Sequence, residues 1–536
     1  MTAGTSTAYH PAEPAGRYGF ATVLHAEWTK YRTVRGWIIG MAVGALLVIL
    51  LGLLASGGAR SSCTAVSGNA AGTSAARSGA ACGGSFAVGP GGEAVTDSFY
   101  FVRQPLAGNG SITVRVTSLT GLVPSSPRAA NPGQRPGLVS WAKAGLIIKD
   151  GTSSGSPYAA MMVTADHGVR LQDDYTGDTP GLPGAVSAAS PRWLRLTRSG
   201  DAVTGYDSAD GLHWTRVGTV HLAGLPATVQ AGLFTASPYD AMITENFGGG
   251  ANGTGGPSQA TAVFDHLTRS GTWPGSGWTG DYIGANQGPD TGSYHQAGGQ
   301  FAVTGSGDIA PVPAGPSSPG NTVTIANRLV GTFAGLIAVI VVATMFITAE
   351  YRRKMIRTTL AASPRRGRML AAKALVIGSV TFVAGLLAAT IVVLGFAQLA
   401  RSRAYVFPAS GLTELRIIVG TAALLAAAAV LALAAGAVLR RSAAAVAAVI
   451  VAIVIPYILA EASVLPVSAA DWLLRITPAA AFAIQQSVPQ YPQVTALYSP
   501  NGGYYPLAPW AGLAVLAGYA ALALGLAIVL IRRRDA

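Results

Sequence analysis

Six apolar runs of about 20 residues each interrupt this 536-residue chain. A run of that length crosses the hydrocarbon core of a bilayer as an α-helix, which satisfies its backbone hydrogen bonds internally. The sequence therefore predicts an α-helical polytopic membrane protein with six transmembrane helices. The runs cover residues 37–55, 329–349, 374–399, 417–439, 443–465 and 510–531.

The net charge of +13 is confined to one set of polar segments. Residues 1–36, 350–373 and 532–536, with Arg440 and Arg441, contain 17 Lys or Arg and 4 acidic residues, and the rest of the chain sums to zero. Basic juxtamembrane segments stay in the cytoplasm, so we expect a multi-pass plasma-membrane protein with both termini inside. Because the charge lies beside apolar runs, we expect contact with anionic membrane lipids and no nucleic-acid partner.

The first apolar run invites a competing interpretation as a cleaved signal peptide. Its 19 residues and the 36-residue lead are both too long for that, so we expect a retained helix.

Glycines four residues apart, Gly40 with Gly44 and Gly331 with Gly335, could let the first two helices touch. Chance matches of this spacing are common in glycine-rich apolar helices.

Residues 56–325 form an extracytoplasmic insertion that is long enough to fold by itself. Its composition predicts a flexible linker over 56–92, a folded domain over 93–312 and a second linker over 313–328. Short runs rich in β-branched and aromatic residues, bounded by turn residues, predict an inserted all-β sandwich of the jelly-roll type. These runs are Ser98 to Val102, Ser111 to Val116, Ala144 to Lys149, Tyr158 to Thr164, Trp193 to Thr197 and Val229 to Phe234.

The two cysteines of the chain, Cys63 and Cys82, both fall in the first linker. On the oxidising side of the membrane we expect a disulfide between them, with free thiols or intermolecular pairing as alternatives. Closing a loop of this length would stabilise the fold by roughly 3 kcal/mol in the chain-entropy model.

The insertion is similar to the concanavalin-like, laminin-G-like sandwich family. The resemblance rests on FYFVRQPLAGNGSITVRV at 99–116, KAGLIIKDG at 143–151, YAAMMVTADHGVRLQ at 158–172, WLRLTRSGDAVTGYDSADGLHWTRVG at 193–218 and VQAGLFTAS at 229–237. It implies two antiparallel sheets, and glycan binding is frequent in that family, but it transfers no binding residue. Trp273, Trp278 and Tyr282 could form a platform for a sugar, or they could pack in the core or a loop.

Residues that could carry out chemistry in this chain are few. GTSSG at 151–155 lacks the following helix that a nucleophile elbow needs, and DSADG at 207–211 is typical of a tight turn rather than a calcium site. The seven histidines lack zinc spacing, and no phosphate-binding GxxxxGK[ST] motif occurs. Glu350, Glu414 and Glu461 fall near the ends of the apolar runs, where water can solvate them, which argues against an ion-coupled carrier. We expect no enzymatic activity, no metal and no cofactor in this chain.

The segment GFATVLHAEWTKYRTVRGW at 19–37 has apolar residues near helical spacing, with basic residues among its polar positions. It predicts an amphipathic helix along the inner membrane interface, with aromatic rings at headgroup depth. The residues assigned to this interfacial elbow are Phe20, Trp28, Lys30, Tyr31, Arg32 and Arg35.

Residues 350–373, which we call the connector, join the second and third apolar runs. The connector has eight basic residues and one acid, and its proline predicts a helix, a break and a second helix. Such a structure could dock a soluble protein. The docking residues are predicted to be Glu350, Arg352, Arg353, Arg357, Pro364, Arg365, Arg366, Arg368 and Lys373.

At this point the chain resembles the permease subunits of type-2 ABC transporters. The resemblance rests on AEWTKYRTVR before the first run, EYRRK and SPRRGRMLAAK in the connector, the six runs, and TPAAAF at 477–482. It implies an elbow helix, a connector that contacts an ABC ATP-binding subunit, and a re-entrant segment at 468–488. It also implies a second permease copy or a homologous permease as partner, and ATP with Mg bound by the ATPase.

The leading hypothesis is therefore a membrane-spanning permease subunit of an ATP-driven ABC exporter. The alternative is a membrane-anchored glycan-binding or surface-sensing protein, for which a single anchor helix would suffice.

Overall fold

The structure is a computed structural model that describes residues 19–58, 86–125, 133–246, 250–284, 292–315, 322–352, 366–400, 405–462 and 464–534. Cys63 and Cys82 lie outside these ranges, so the disulfide stays a prediction. Most of the connector, residues 353–365, also lies outside them.

Within the described residues, six helices are long and apolar enough to cross a membrane, which confirms the predicted helical part. An amphipathic helix, the elbow helix (Phe20–Thr33), precedes the first of them. We number the six as spans. They are span 1 (Arg35–Gly58), span 2 (Gly331–Arg352), span 3 (Arg366–Ala400), span 4 (Gly411–Leu439), span 5 (Ser442–Glu461) and span 6 (Pro509–Arg534).

The basic segments of the chain meet on one side of the helix bundle. The guanidinium of Arg440, after span 4, lies 5.4 Å from the ring of Tyr351 at the end of span 2. At the end of span 6, the Arg532 side chain lies 3.3 Å from the position that a Cβ would take at Gly367 in span 3. The charge clusters that are separated in sequence therefore face the same side, which we call the basic side.

Spans 1 and 2 pack closely through small residues, as the glycine spacing allowed. A Cβ at Gly44 would lie 3.2 Å from the Cβ of Ala338, and a Cβ at Gly335 would lie 2.4 Å from a methyl of Val48. At Gly331 the nearest atom is the backbone carbonyl oxygen of Val48, 2.4 Å from the Cβ position. These glycines let two helix backbones approach at distances that any side chain would prevent.

Substituting Gly331→Val is expected to destabilise the folded chain, because the added carbons meet a backbone oxygen that cannot rotate away. Overpacking of this kind typically costs about 1–3 kcal/mol. The matched control is Gly518→Val on span 6, where nothing lies within 4 Å of the Cβ position. Thermal unfolding in detergent, followed by size-exclusion chromatography, should show a lower midpoint for the first variant only. Equal unfolding midpoints of the two variants would mean that spans 1 and 2 can move apart at Gly331 at little cost.

The insertion forms an antiparallel β domain, which confirms the predicted helical protein with an inserted sandwich. Its long third strand bends, so that two predicted strands are one continuous strand. The strands are β1 (Ala87–Val88), β2 (Ala94–Asp97), β3 (Phe99–Pro124), β4 (Gln134–Pro136), β5 (Lys143–Lys149), β6 (Tyr158–Thr164), β7 (Val169–Asp173), β8 (Gly177–Pro180), β9 (Arg192–Ser199), β10 (Ala202–Ser208), β11 (Thr215–His221), β12 (Thr228–Ala236), β13 (Asp240–Asn246), β14 (Gly250–Gly256), β15 (Gln259–Thr272), β16 (Thr279–Ile283), β17 (Gly292–Ala297), β18 (Gln300–Gly305) and β19 (Ile309–Pro311).

The large sheet has the strand order β11-β10-β9-β3-β12-β5-β6-β7-β8, and it folds over on itself. One core lies between its two halves and joins Leu194 and Leu196 of β9 to Leu146 of β5. A second core lies on the other face of β5 and joins Ile147 to Val95 and Ile309 of the small sheet β1-β2-β19. The β domain therefore has three layers around two cores.

Strand β5 is buried on both faces because it lies in the middle layer. Its odd-numbered side chains, which include Lys143, Ile147 and Lys149, point toward the small sheet. The Lys149 ammonium lies 2.9 Å from the Asp97 carboxylate, and the Lys143 ammonium lies 2.6 Å from Asp308. Two fully buried lysines thus hold the small sheet onto the middle layer.

The predicted second linker contains regular secondary structure. Within 313–328, strand β20 (Thr322–Val323) pairs in parallel with β21 (Tyr405–Val406) between spans 3 and 4. A short helix, Ile325–Arg328, follows and begins at a capping box made by Thr324. Backbone pairing therefore attaches the end of the insertion to the membrane part.

Candidate functional site

Both ends of the connector are held by one cluster of charged side chains, which we call the inner ion network. It consists of Glu27 and Lys30 of the elbow helix, Glu350 of span 2 and Lys373 of span 3. The Lys373 ammonium lies 2.6 Å from Glu27 Oε2 and 2.8 Å from Glu350 Oε1. Lys30 lies 2.9 Å from Glu27 Oε1 and 3.3 Å from Glu350 Oε1.

The centre of the inner ion network is buried. Lys373 has no exposed surface, Glu27 is 2% exposed and Glu350 is 5% exposed, whereas the Lys30 side chain is 40% exposed. Two ammonium groups balance two carboxylates, so the network is neutral as a whole. Burial alone would lower the pKa of Lys30, but the hydrogen bonds and charges of Glu27 and Glu350 together outweigh it and raise that pKa. Removing one partner of such a buried network leaves an uncompensated charge.

Aromatic rings cover the apolar side of the inner ion network. Lys373 Nζ lies 4.6 Å from the centre of the Phe346 ring. The same ring makes edge contacts with Trp37, at a centroid distance of 4.9 Å, and with Tyr31, at 5.8 Å. Trp28 is 43% exposed, whereas Tyr31 is buried at 4% exposure. The Tyr31 ring packs between the elbow helix and span 2, and the depth of both rings in the membrane stays a prediction.

The other predicted elbow residues remain on the surface. Phe20 is 38% exposed, and Arg32 and Arg35 are also exposed. In the connector, Arg352 and Arg368 are exposed at its two ends. Among the remaining predicted docking residues, Arg353, Arg357, Pro364 and Arg365 lie outside the described residues, as does the side chain of Arg366.

The structure thus divides the predicted docking residues into two groups. Glu350 and Lys373 point inward and fix where the connector begins and ends, so they position it and cannot themselves form a surface for a partner. Exposed Arg352 and Arg368 flank the rest of the connector. Sequence reasoning missed Glu27, although its position four residues before Tyr31 on an amphipathic helix was a usable signal for a buried acid.

The chain between spans 5 and 6 folds into a bent pair of helices. Helix Val467–Ile476 and the 3-10 helix Pro478–Gln485 meet at 103°. Span 5 starts at the basic side and span 6 ends there, so the segment between them enters and leaves from the opposite side. The bent pair coincides with most of the predicted segment 468–488, whose re-entry into the membrane stays a prediction; we use the name re-entrant segment for Val467–Ile476 and Pro478–Gln485.

The buried half of this bent pair is fixed by polar and close contacts. Gln485 Nε2 lies 3.3 Å from the hydroxyls of both Thr332 in span 2 and Thr421 in span 4. At Gly512 in span 6, the carbonyl oxygen of Ala480 lies 2.2 Å from the Cβ position. Three spans therefore converge on the re-entrant segment.

Span 5 is irregular where it meets the re-entrant segment. Its residues Ile450–Val454 form a π-helix, and Pro456 lacks the N–H that would continue the regular ladder. Just beyond, the Tyr457 ring stacks on Phe482 of the re-entrant segment at a centroid distance of 3.9 Å. The Phe333 ring of span 2 lies 5.9 Å from the Tyr457 ring.

The model of one protein family, described as ABC-2 family transporter protein, matches residues 159–536. That match covers well over half of the chain, including spans 2 to 6 and the bent pair. The chain belongs to the ABC-2 transporter family. It is therefore a permease component of an ABC transporter and a multi-pass membrane protein, and the family implies partnership with an ATP-binding ABC subunit.

No curated protein matches the sequence of this permease. Several solved structures share a weak likeness with it. A functionally unknown protein from Saccharomyces cerevisiae has 15% identity, covering 34% of this chain and 77% of that chain, with a TM-score of 0.20. The GH43 protein BlXynB from Bacillus licheniformis has 17% identity, covering 31% of this chain and 28% of that chain, with a TM-score of 0.18. Scytalido-glutamic peptidase has 8% identity, covering 40% of this chain and 100% of that chain, with a TM-score of 0.24. TM-scores this low support no argument about the permease.

The β domain of the permease contacts the membrane part on the side opposite the basic side. The Tyr405 hydroxyl, between spans 3 and 4, donates to the Gly92 carbonyl at 2.7 Å. The Ala314 amide donates to the Tyr504 hydroxyl at 2.9 Å. Gln493, between the re-entrant segment and span 6, donates to the carbonyl of Tyr175 at 3.1 Å. Three loops of the β domain are thus hydrogen-bonded to two loops of the membrane part on that side.

The predicted aromatic platform is occupied by the protein's own cation. The guanidinium of Arg269 lies 5.3 Å from the Trp273 ring and 5.4 Å from the Trp278 ring. Both tryptophans are half-buried and pack against the core of the sandwich, and Tyr282 lies half-buried in β16. This arrangement corresponds to the packing alternative more closely than to an open sugar platform.

Within the described ranges, no group of three or more His, Cys, Asp or Glu side chains could hold a metal ion. The DSADG segment is a turn, in which Asp210 Oδ1 accepts from the amides of Leu212 and His213 at 2.8 Å each. A hydrogen bond from the His213 ring, together with these two from the backbone, holds the pKa of Asp210 below its usual range. GTSSG likewise forms the turn between β5 and β6.

Proposed function

We propose that this permease lines the translocation path of an ATP-driven exporter and that separate ATPase subunits dock on its basic side. ATP and Mg would bind in those partner subunits, and this chain would contribute no cofactor. The observation that carries the proposal is the inner ion network, which joins the elbow helix to both ends of the connector. A segment that only fixed topology would need its positive charges but not this buried attachment.

In the proposed cycle, the ATPase subunits push on the connector when they close on ATP. Because Lys373 is paired with both Glu27 and Glu350, a displacement of the connector moves spans 2 and 3 and the elbow helix together. Spans 2 and 4 contact the re-entrant segment through Gln485, so the movement reaches the opposite side of the bundle. A rotation of these helices would alternate access between the two sides.

The proposed orientation follows from charge. Because the basic segments lie together, the positive-inside rule places that side in the cytoplasm, with both termini. The β domain and its predicted disulfide then lie outside. A second permease copy or a homologous permease would complete the path, and membrane lipids would contact the exposed faces of spans 1 and 6.

Reversing the charge of the connector tests the docking step. The variant Arg365→Glu, Arg366→Glu and Arg368→Glu is expected to lose most of the ATP-binding subunit in copurification from native membranes. Each reversal replaces attraction by repulsion at the contact, which typically costs several kcal/mol when like charges are brought together. A matched control reverses Arg401 and Arg403, which lie between spans 3 and 4, on the side proposed to be outer. Equal recovery of the ATPase with both variants would rule out docking on the connector.

The alternative of a glycan-binding sensor is favoured only by the resemblance of the β domain to concanavalin-like sandwiches. Its hydrogen bonds to loops beside the re-entrant segment support a role within the transporter instead. A glycan array with the full chain, beside recovery of a stoichiometric ATPase, distinguishes these proposals. Sugar binding without an ATPase would favour the sensor.

A further inference from the structure

Glu461 is an acidic side chain at the outer end of span 5 for which the described part of the chain offers no counterion. No described Lys, Arg or His forms a salt bridge with it, and its Oε2 atom is buried without a hydrogen-bond partner. The other carboxylates near span ends differ. Glu350 is paired with Lys373, and Glu414 lies near enough to Arg328 to interact with its charge. An ionisable group in an apolar span is costly to keep unless it has a function.

Aromatic side chains lie next to this carboxylate. We call Phe333, Tyr457, Phe482 and Tyr505 the aromatic cluster. Tyr457 lies one helical turn before Glu461 and stacks on Phe482, and its hydroxyl is hydrogen-bonded to Tyr505. Glu461 is close enough to Tyr457 and Tyr505 to interact electrostatically with both. A negative charge and several π-faces therefore lie together.

We propose that Glu461 and the aromatic cluster bind a lipophilic organic cation, such as a quaternary ammonium or phosphonium compound. The Glu461 carboxylate would balance the positive charge of the ligand. The faces of the aromatic rings attract cations whose charge is shielded by carbon. A bare metal ion fits poorly, because it needs several oxygen ligands and the described residues offer no such group here. This inference rests on the proposed transport function and names a substrate class for it.

One edge of the site reaches the surface of the helix bundle, although Phe482 is 1% exposed, Tyr505 is 6% exposed and Glu461 Oε2 is buried. Tyr457 and Glu461 are half-exposed, and the neighbouring Ile458 is 44% exposed. An amphiphilic cation dissolved in the membrane could reach the site between spans without passing through bulk water. The re-entrant segment, which contributes Phe482, lies against the site, so helix movements in the proposed cycle would change its shape.

Equilibrium binding of radiolabelled tetraphenylphosphonium to the purified full chain in nanodiscs tests the inference. The wild type should bind it saturably, and Glu461→Gln should weaken binding at least about tenfold, because the charge attraction is lost. Tyr457→Leu should also weaken binding, whereas Glu461→Asp should retain most of it. Glu414→Gln is the matched control and should leave binding unchanged, since that carboxylate has a neighbouring arginine.

Absence of saturable binding to the wild type, or unchanged binding by Glu461→Gln, would overturn the inference. If Glu461→Gln does not yield a folded protein, cation binding is compared between Tyr457→Leu and Tyr457→Phe. Only the first substitution removes the aromatic ring, so it alone should weaken binding, and equal binding by both would overturn the inference. Copurification of the ATP-binding subunit reports on the transporter proposal independently. A chain that recovers the ATPase but does not bind the cation would refute this inference and leave the proposed function standing.

Discussion

Replacing Lys373 with methionine is expected to destabilise the folded permease by about 3–5 kcal/mol, the usual effect of breaking a buried ion pair by removing one partner. The substitution keeps the volume of the side chain but leaves Glu27 and Glu350 facing each other at the centre of the inner ion network. Only half-exposed Lys30 would remain to balance them. Thermal unfolding in detergent should show a large drop of the midpoint and a low yield of monodisperse protein.

Two further variants make this prediction specific. Arg368→Met, on the same helix but exposed, should change stability by no more than about 0.5 kcal/mol. The double variant Glu350→Gln with Lys373→Met should recover part of the loss, because it restores neutrality with Glu27 and Lys30 as the remaining pair. If Lys373→Met and Arg368→Met unfold at the same temperature, the network does not hold the elbow helix in place.

The second large effect is expected in the β domain, from Lys149→Met. Lys149 has no exposed surface and lies 2.9 Å from both Asp97 Oδ2 and the Ser156 carbonyl oxygen. Burial lowers the pKa of Lys149, and the charge of Asp97 offsets part of that effect. Without the ammonium group, the Asp97 carboxylate stays buried with no cation, so we expect a loss of about 3–5 kcal/mol.

The consequence should extend to the contact with the membrane part. The Tyr175 hydroxyl donates to Asp97 at 2.8 Å, and the Tyr175 carbonyl accepts from Gln493. We therefore expect Lys149→Met to expose the β domain of the full-length chain to limited proteolysis, with the membrane part intact. The exposed Arg216→Met on β11 serves as control. If Lys149→Met resists proteolysis as well as Arg216→Met does, the small sheet is held by its apolar core alone.

Much of this architecture could be predicted from local patterns. Apolar runs predict spans because only a helix can satisfy the backbone in lipid. The strand predictions also held for β5, β6, β9 and β12, where β-branched and aromatic runs end at turn residues. The merging of two predicted strands into β3 was missed, since each predicted run was bounded at turn residues, whereas β3 continues through Gly108 and Gly110.

The candidate site was predicted only in part. The connector ends were identified by charge, but a charged residue in a sequence is normally assigned to the surface. Lys373 is instead fully buried, because it pairs with Glu27, 346 positions away in the chain. The burial of Tyr31 and of the lysines of β5 was missed for the same reason, since it depends on elements that are distant in sequence.

The sequence by itself determined how many helices cross the membrane, which polar segments share a side, and that the insertion is β-rich. These properties depend on hydropathy, charge and periodicity, which act within short stretches of chain. Only the tertiary structure decided which charges are paired and which are left without a partner, as Lys373 and Glu461 illustrate. Whether a charge is solvated or buried depends on the neighbours that assembly brings to it, and local patterns do not encode those neighbours.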